Sequence, residues 1–137
     1  MSASRAAVRA VASEGRTLAL VVRAGEEPAA TEFVTADTAS LQVGFVVYPR
    51  GGSIPPHSHR PLERTIVGTG EVLVVRKGRC EVDVFDDDRR LVATEELRVG
   101  DVVVFLAGGH GFRMVEDTVL LEVKQGPYTG LAEKERF

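Results

Sequence analysis

The residues best equipped for chemistry stand in "GGSIPPHSHRPLERTIVGTGEVLVVRKG", residues 51–78. His57 and His59 are separated by one residue, and two glutamates, Glu63 and Glu71, follow them. The third and last histidine, His110, lies far downstream, inside "LAGGHG". Along an extended strand side chains alternate between faces, so His57 and His59 point the same way with Cα atoms roughly 6.6 Å apart. Two neutral imidazoles at that spacing can converge on one ion, and imidazole together with carboxylate suits Fe, Mn, Ni, Cu or Zn. A third and a fourth ligand must then come from elsewhere in the fold, and His110 and one of the glutamates are the candidates. The plain alternative is a surface accident, since short motifs recur by chance.

Ligands of this kind need a rigid frame, and the texture of the chain supplies one. From Thr17 onward, short valine-rich runs are broken every eight to twelve residues by Gly, Pro or Asp, the spacing of an all-β sandwich or barrel. Strands are expected near 17–23, 31–35, 41–48, 71–77, 79–85, 91–98, 101–106, 110–115 and 118–124, with weaker extended pieces at 54–59 and 64–67. The alternation in "EVLVVRKGRCEVDVF" predicts two strands meeting in a tight hairpin at Lys77-Gly78. In "LRVGDVVVFLAGGHGF" a Gly-Asp turn launches a strand that ends at flexible glycines, with His110 just beyond. Residues 1–16 read as a short helical appendage, with Ser4 as N-cap and Gly15 as its stop. Residues 17–126 form the domain, and the tail 127–137 packs on it through Tyr128 and Phe137.

Composition sets the outer limits. A chain of 137 residues with 44% hydrophobic residues has material for one core and is short for two. The net charge of −3, with signs interspersed and no basic run, gives no pull toward nucleic acid or an anionic membrane surface. No apolar segment approaches the roughly 20 residues of a membrane-spanning helix, and "MSASRAAVRAVASEGRT" lacks a continuous apolar signal region. A cytoplasmic protein is the expectation. The single cysteine, Cys80, shares a strand face with Val82 and Val84 and reads as a buried apolar thiol.

The motif "GGSIPPHSH" with its following glutamate, then "GDVVVFLAGGH", resembles the two signatures of the cupin superfamily, G-x5-H-x-H-x3-4-E-x6-G and G-x5-P-x-G-x2-H-x3-N. The likeness covers residues 51–114, and Gly51, His57, His59, Gly100, Gly108 and His110 carry it. Leu106 stands where proline is usual, the loop before His110 is one residue short, and Met114 replaces asparagine. The resemblance implies a small β-barrel of the double-stranded β-helix, or jelly-roll, type. It also implies one divalent transition metal ion per chain, held by three histidines and a glutamate near the wider mouth.

Glu63 has the spacing of the pattern, with Gly70 following it at the right interval. Glu71 has the better strand: in cupins the ligand glutamate opens the strand that runs to the turn glycine, and Glu71 opens "EVLVVRKG". Strand parity puts Glu71, Leu73 and Val75 on one face, the carboxylate at the rim and the apolar side chains deeper. Glu71 is therefore the preferred ligand and Glu63 the alternative, with loop 60–70 an insertion over the mouth. Phe112 and Met114 share parity with His110 and are expected to wall the pocket. Arg64 is a candidate for an anionic substrate, and Gln42 and Tyr48 for polar contacts in the cavity.

Two functional classes follow from the resemblance. One is a metal-dependent enzyme, a dioxygenase or an isomerase or epimerase, acting on a small oxygenated metabolite such as a sugar or sugar nucleotide. The other is a non-catalytic sugar or metabolite sensor, since fold alone does not decide activity. A metal-free isomerase with histidine and tyrosine as acid and base stands behind them. The strands 17–23 and 31–35 have little of the charge or proline that would blunt them, so edge pairing into a homodimer is expected.

Overall fold

The computed structural model describes residues 6–130 and 133–137. Ten strands run in order: β1 (Arg9–Ser13), β2 (Arg16–Val22), β3 (Glu32–Phe33), β4 (Gly44–Phe45), β5 (Glu71–Lys77), β6 (Arg79–Phe85), β7 (Leu91–Arg98), β8 (Val102–Phe105), β9 (Gly109–Met114) and β10 (Val119–Lys124). All pairings are antiparallel. One sheet has the order β1-β2-β8-β5-β10, a second β7-β6-β9, and β3 with β4 makes a small hairpin. The chain is all-β, as its texture implied, but among the described residues its sheets do not close into a barrel. Among the described residues no helix is long and apolar enough to cross a membrane.

The core lies between the two larger sheets. Leu18, Val21, Leu73, Val75, Val103 and Phe105 on one side meet Cys80, Val82, Val84 and Leu97 on the other. The alternation of β5 and β6 produces this directly, every second residue turning inward. Cys80 is fully buried in that cluster with Val82 and Val84, the place its parity indicated, and burial pushes its thiol pKa up. Asp101 has a structural role that its turn signal did not disclose. Buried before β8, it accepts backbone hydrogen bonds from Ala24 and Arg98, each at 2.9 Å, and pairs with Arg23 at 2.9 Å.

Four expectations change. The helix expected over residues 1–16 is replaced, where the structure describes the chain, by strand β1; Ser4 lies outside the described residues. Its alanines favour a helix in isolation, but Val11 is buried by pairing with β2, and tertiary pairing outweighs a weak local preference. Glu14-Gly15 is then not a helix stop. Ser13 pairs with Arg16, and positive φ at both intervening residues makes a two-residue hairpin loop.

The hairpin expected at Lys77-Gly78 is also absent, because β5 and β6 belong to different sheets. Gly78, at φ +83°, turns a corner between the layers where an added Cβ would stand 2.1 Å from the carbonyl oxygen of Asp117. The third change concerns edges. Strand 17–23 is covered by β1 on one side and β8 on the other, so β2 has no free edge to offer a partner. Finally, 31–35 and 41–48 shrink to the two-residue strands β3 and β4, and 54–59 and 64–67 pair with nothing among the described residues.

Candidate functional site

Glu71 and His110 are brought together by the two sheets. Glu71 begins β5 and shares its inward face with Leu73 and Val75, as parity required. His110 sits on β9 opposite Val84 of β6. Gly108 aims β9 correctly: at φ +69° its α-hydrogen faces the Phe85 carbonyl oxygen, which any Cβ would approach to 2.1 Å. Of the glycines in "AGGHG", Gly108 serves close backbone approach, Gly109 faces the Phe137 ring, and Gly111 has open space around it. Glu71 Oε2 and His110 Nε2 end 3.0 Å apart.

The surroundings fix both groups. The Phe105 ring stacks on the imidazole at 3.7 Å between centroids and 7° between planes, and Phe112 meets it edge-on at 6.0 Å. The hydrogen bond from His110 holds the Glu71 carboxyl below its ordinary range. Burial opposes that shift, while the charges of His110, Lys124 and Lys134 reinforce it. Glu71 is thus an anion at neutral pH although it is 9% exposed. The pair stands at the wall of an open cleft of about 820 Å³, lined also by Leu73, Asp83, Phe112, Arg113 and Glu122. The end of the tail makes a second wall. Phe137 packs edge-on against Phe85 at 5.1 Å, and Glu135 pairs with Arg89 at 2.8 Å. Tyr128 stays exposed, with the Lys124 ammonium 5.7 Å from its ring.

His57 and His59 are elsewhere. Their rings lie 5.3 Å apart, so they do share a face, and His57 Nδ1 is 2.9 Å from the Pro55 carbonyl oxygen. Both stand exposed on a segment, residues 48–67, that belongs to no strand and is exposed throughout. Glu63 and Arg64 lie on the same exposed segment, and Tyr48 at its root, packed near Gly52. Loop 60–70 consequently does not cover the mouth, although Gly68 and Thr69 line the cleft. Among the described residues no group of three or more His, Cys, Asp or Glu side chains is gathered closely enough to hold a metal ion.

Two other expected residues also lie away from the cleft. Gln42 ties the 35–42 loop together, donating to the Ala36 and Ala39 carbonyl oxygens at 2.9 Å each. Met114 keeps the parity of His110 but reaches the end of β9, where it is 54% exposed and pairs in register with Cys80. Phe105 is the site residue that the motifs did not single out. Its only sequence signal is its place as the last residue of a buried strand, five positions before His110.

The Glu71–His110 geometry suits half of a metal site. Two donors each about 2.1 Å from one ion stand about 3.0 Å apart in octahedral and about 3.4 Å apart in tetrahedral geometry, and the 3.0 Å seen here is also an ordinary hydrogen-bond length. A single chain places two donors in this way and holds two more histidines out of reach. No protein-family model, curated protein or solved structure matches the chain.

Proposed function

We propose that the protein is a metal-binding protein of the cupin type whose cleft takes a small oxygenated metabolite. The carrying observation is the buried carboxylate and stacked imidazole, 3.0 Å apart at the wall of an 820 Å³ cleft. A cleft of that size suits a metabolite or sugar-sized ligand. Glu71, His110, His57 and His59 are the donors. A divalent transition ion, when bound, supplies Lewis-acid or redox chemistry. The chain's own residues do the rest. Phe105 fixes the imidazole plane, Glu71 contributes negative charge, Leu73 and Phe112 offer an apolar wall, and Arg113 stands at the rim for an anionic group.

Elemental analysis of untagged protein tests this reading, with about one divalent ion per chain expected. Glu71→Gln should lower metal affinity ten-fold or more, and Glu63→Gln should change it little. Protein that stays metal-free after incubation with Fe, Mn, Ni, Cu and Zn would end the proposal.

A second reading is favoured by the same hydrogen bond. A carboxylate that orients an imidazole is the arrangement of a general base and its positioning partner. His110 would then move a proton on a bound ligand while Glu71 steadies it. Solvent-deuterium exchange into a bound sugar that persists after chelator treatment and disappears in His110→Ala would select this reading over the first.

A further inference from the structure

Residues 53–67 form an arm without a turn, a bend or a strand partner. Fifteen residues in extended form reach up to about 50 Å, whereas a globule of this chain length has a radius of gyration of about 14 Å. Pro55, Pro56 and Pro61 stiffen it. Its apolar side chains lie in water, with Ile54 52%, Leu62 67% and Val67 92% exposed. The arm's root, Gly68 and Thr69, lines its own cleft. His59 stands nine residues before Gly68 on an unbent run, up to about 30 Å from that root. The geometry that carries the histidines away from their own cleft presents them to another molecule.

The receiving surface is present on the same chain. Among the described residues β9 pairs only with β6 and β10 only with β5, so both strands beside the cleft are sheet edges. Between them stand the two donors that lack companions. Outside the cleft, Leu121 and Val123 of β10 pair in register with Val74 and Val72 of β5 and leave an apolar stripe half exposed on the outer face of the sheet.

We infer that the arm is exchanged between two copies of this chain. Residues 53–67 of each copy run along the β9 edge of the other, so that His57 and His59 of one copy complete the Glu71–His110 half-site of the second. The choice of donors rests on the metal reading above; the exchange rests on the arm, its length and the open edges. A two-fold axis makes the exchange reciprocal and closed, giving two identical sites and no free copy of the arm. The expected dimer is retained on this basis, through the arm and not through strand 17–23.

Two measurements test the inference. Ser58 lies between the histidines and Gly111 beside His110, so strand parity turns each opposite to the donor side chains; Gly111 lines the cleft on the side of Asp83, and a Cβ there meets nothing within 4 Å. Singly substituted Ser58→Cys and Gly111→Cys chains, mixed and oxidised, should form a disulfide-linked heterodimer of about twice 14.8 kDa. Cys80 is buried and does not compete. A mixture that stays monomeric on a non-reducing gel, together with an internally bridged monomer from the doubly substituted chain, overturns the exchange.

The second measurement is metal content by complementation. His57→Ala/His59→Ala and Glu71→Gln/His110→Ala chains should each bind less than about a tenth of the wild-type metal. Refolded together they should recover about a quarter of it, since random two-fold pairing gives half mixed dimers, each with one intact site. Wild-type protein that binds metal while the mixture recovers none overturns the exchange and spares the metal reading. Wild-type protein that binds none while the cysteine variants cross-link supports the exchange and removes the metal reading.

Discussion

The two halves of the candidate site sit in opposite physical states. Glu71 and His110 are held by a packed sandwich, where pairing register, a stacked Phe105 ring and a close glycine each restrict them. His57 and His59 ride on a segment that no sheet bond restrains. If the two halves make one site, as proposed, it is complete only when the arm docks, and ligand affinity and association become one equilibrium. Metal that binds only the assembled form stabilises that form by mass action. On the proposed reading, the pre-set half would determine where the ligand goes, and the carried half would determine when.

The sharpest way to break the comparison uses one residue type in both regions. Leu97 is fully buried between the sheets, and Leu62 is 67% exposed on the arm. Leu97→Ala should cost about 2–5 kcal/mol of unfolding free energy, the transfer term plus a cavity that the sandwich cannot close. Leu62→Ala should stay within about 0.5 kcal/mol when measured by denaturant titration at high dilution, where the arm has no partner. Equal losses would mean that the arm is packed in the monomer.

A smaller effect separates the carboxylates. Asp101→Ala removes a buried carboxylate that accepts two part-buried backbone hydrogen bonds and pairs with Arg23. The expected cost is about 3 kcal/mol, since the amides of Ala24 and Arg98 lose a charged acceptor. Glu63→Ala on the arm should leave the midpoint unmoved. A neutral Asp101→Ala would show that water or a shifted loop replaces its bonds.

The body was legible because its strands alternate strongly. β5, β6 and β7 lie where the valine periodicity placed them, at 71–77, 79–85 and 91–98. The Glu71, Leu73 and Val75 face also follows from parity alone, which is why strand geometry selected the glutamate that contacts His110. Local pattern says nothing about which strands pair. The corner at Gly78 and the hairpin at Glu14-Gly15 carry the same glycine signal, yet one joins strands and the other separates layers. Likewise the extended character of 54–59 and 64–67 is readable from proline and valine, whereas their lack of a neighbour is a property of the whole sheet. The Phe105–His110 stack depends on two sheets meeting and leaves no periodic trace.

The smallest expected effect concerns acid, and it sharpens the contrast between a fixed rim and a free arm. Asp83 on the cleft wall is held by Arg113 and accepts a hydrogen bond from Thr94 at 2.6 Å. The Arg113 contact, then the Thr94 hydroxyl, keeps the Asp83 carboxyl below its ordinary value, with burial opposing. Because the folded value is depressed, the ionised form is favoured by folding. Its contribution is complete above about pH 3.9, the value of an unfolded aspartate. It is lost as pH falls from there through the lower folded value. Asp83→Asn should therefore be less stable than wild type at neutral pH, and the difference should shrink below about pH 4 as wild type loses the ion pair. Arg113 is about half exposed, so solvent screens the pair and the offset should be modest. Arg64→Ala on the arm should leave the acid limb of the melting profile where it is. An Asp83→Asn profile parallel to wild type through the acid limb would mean that the pair forms too weakly to order the rim.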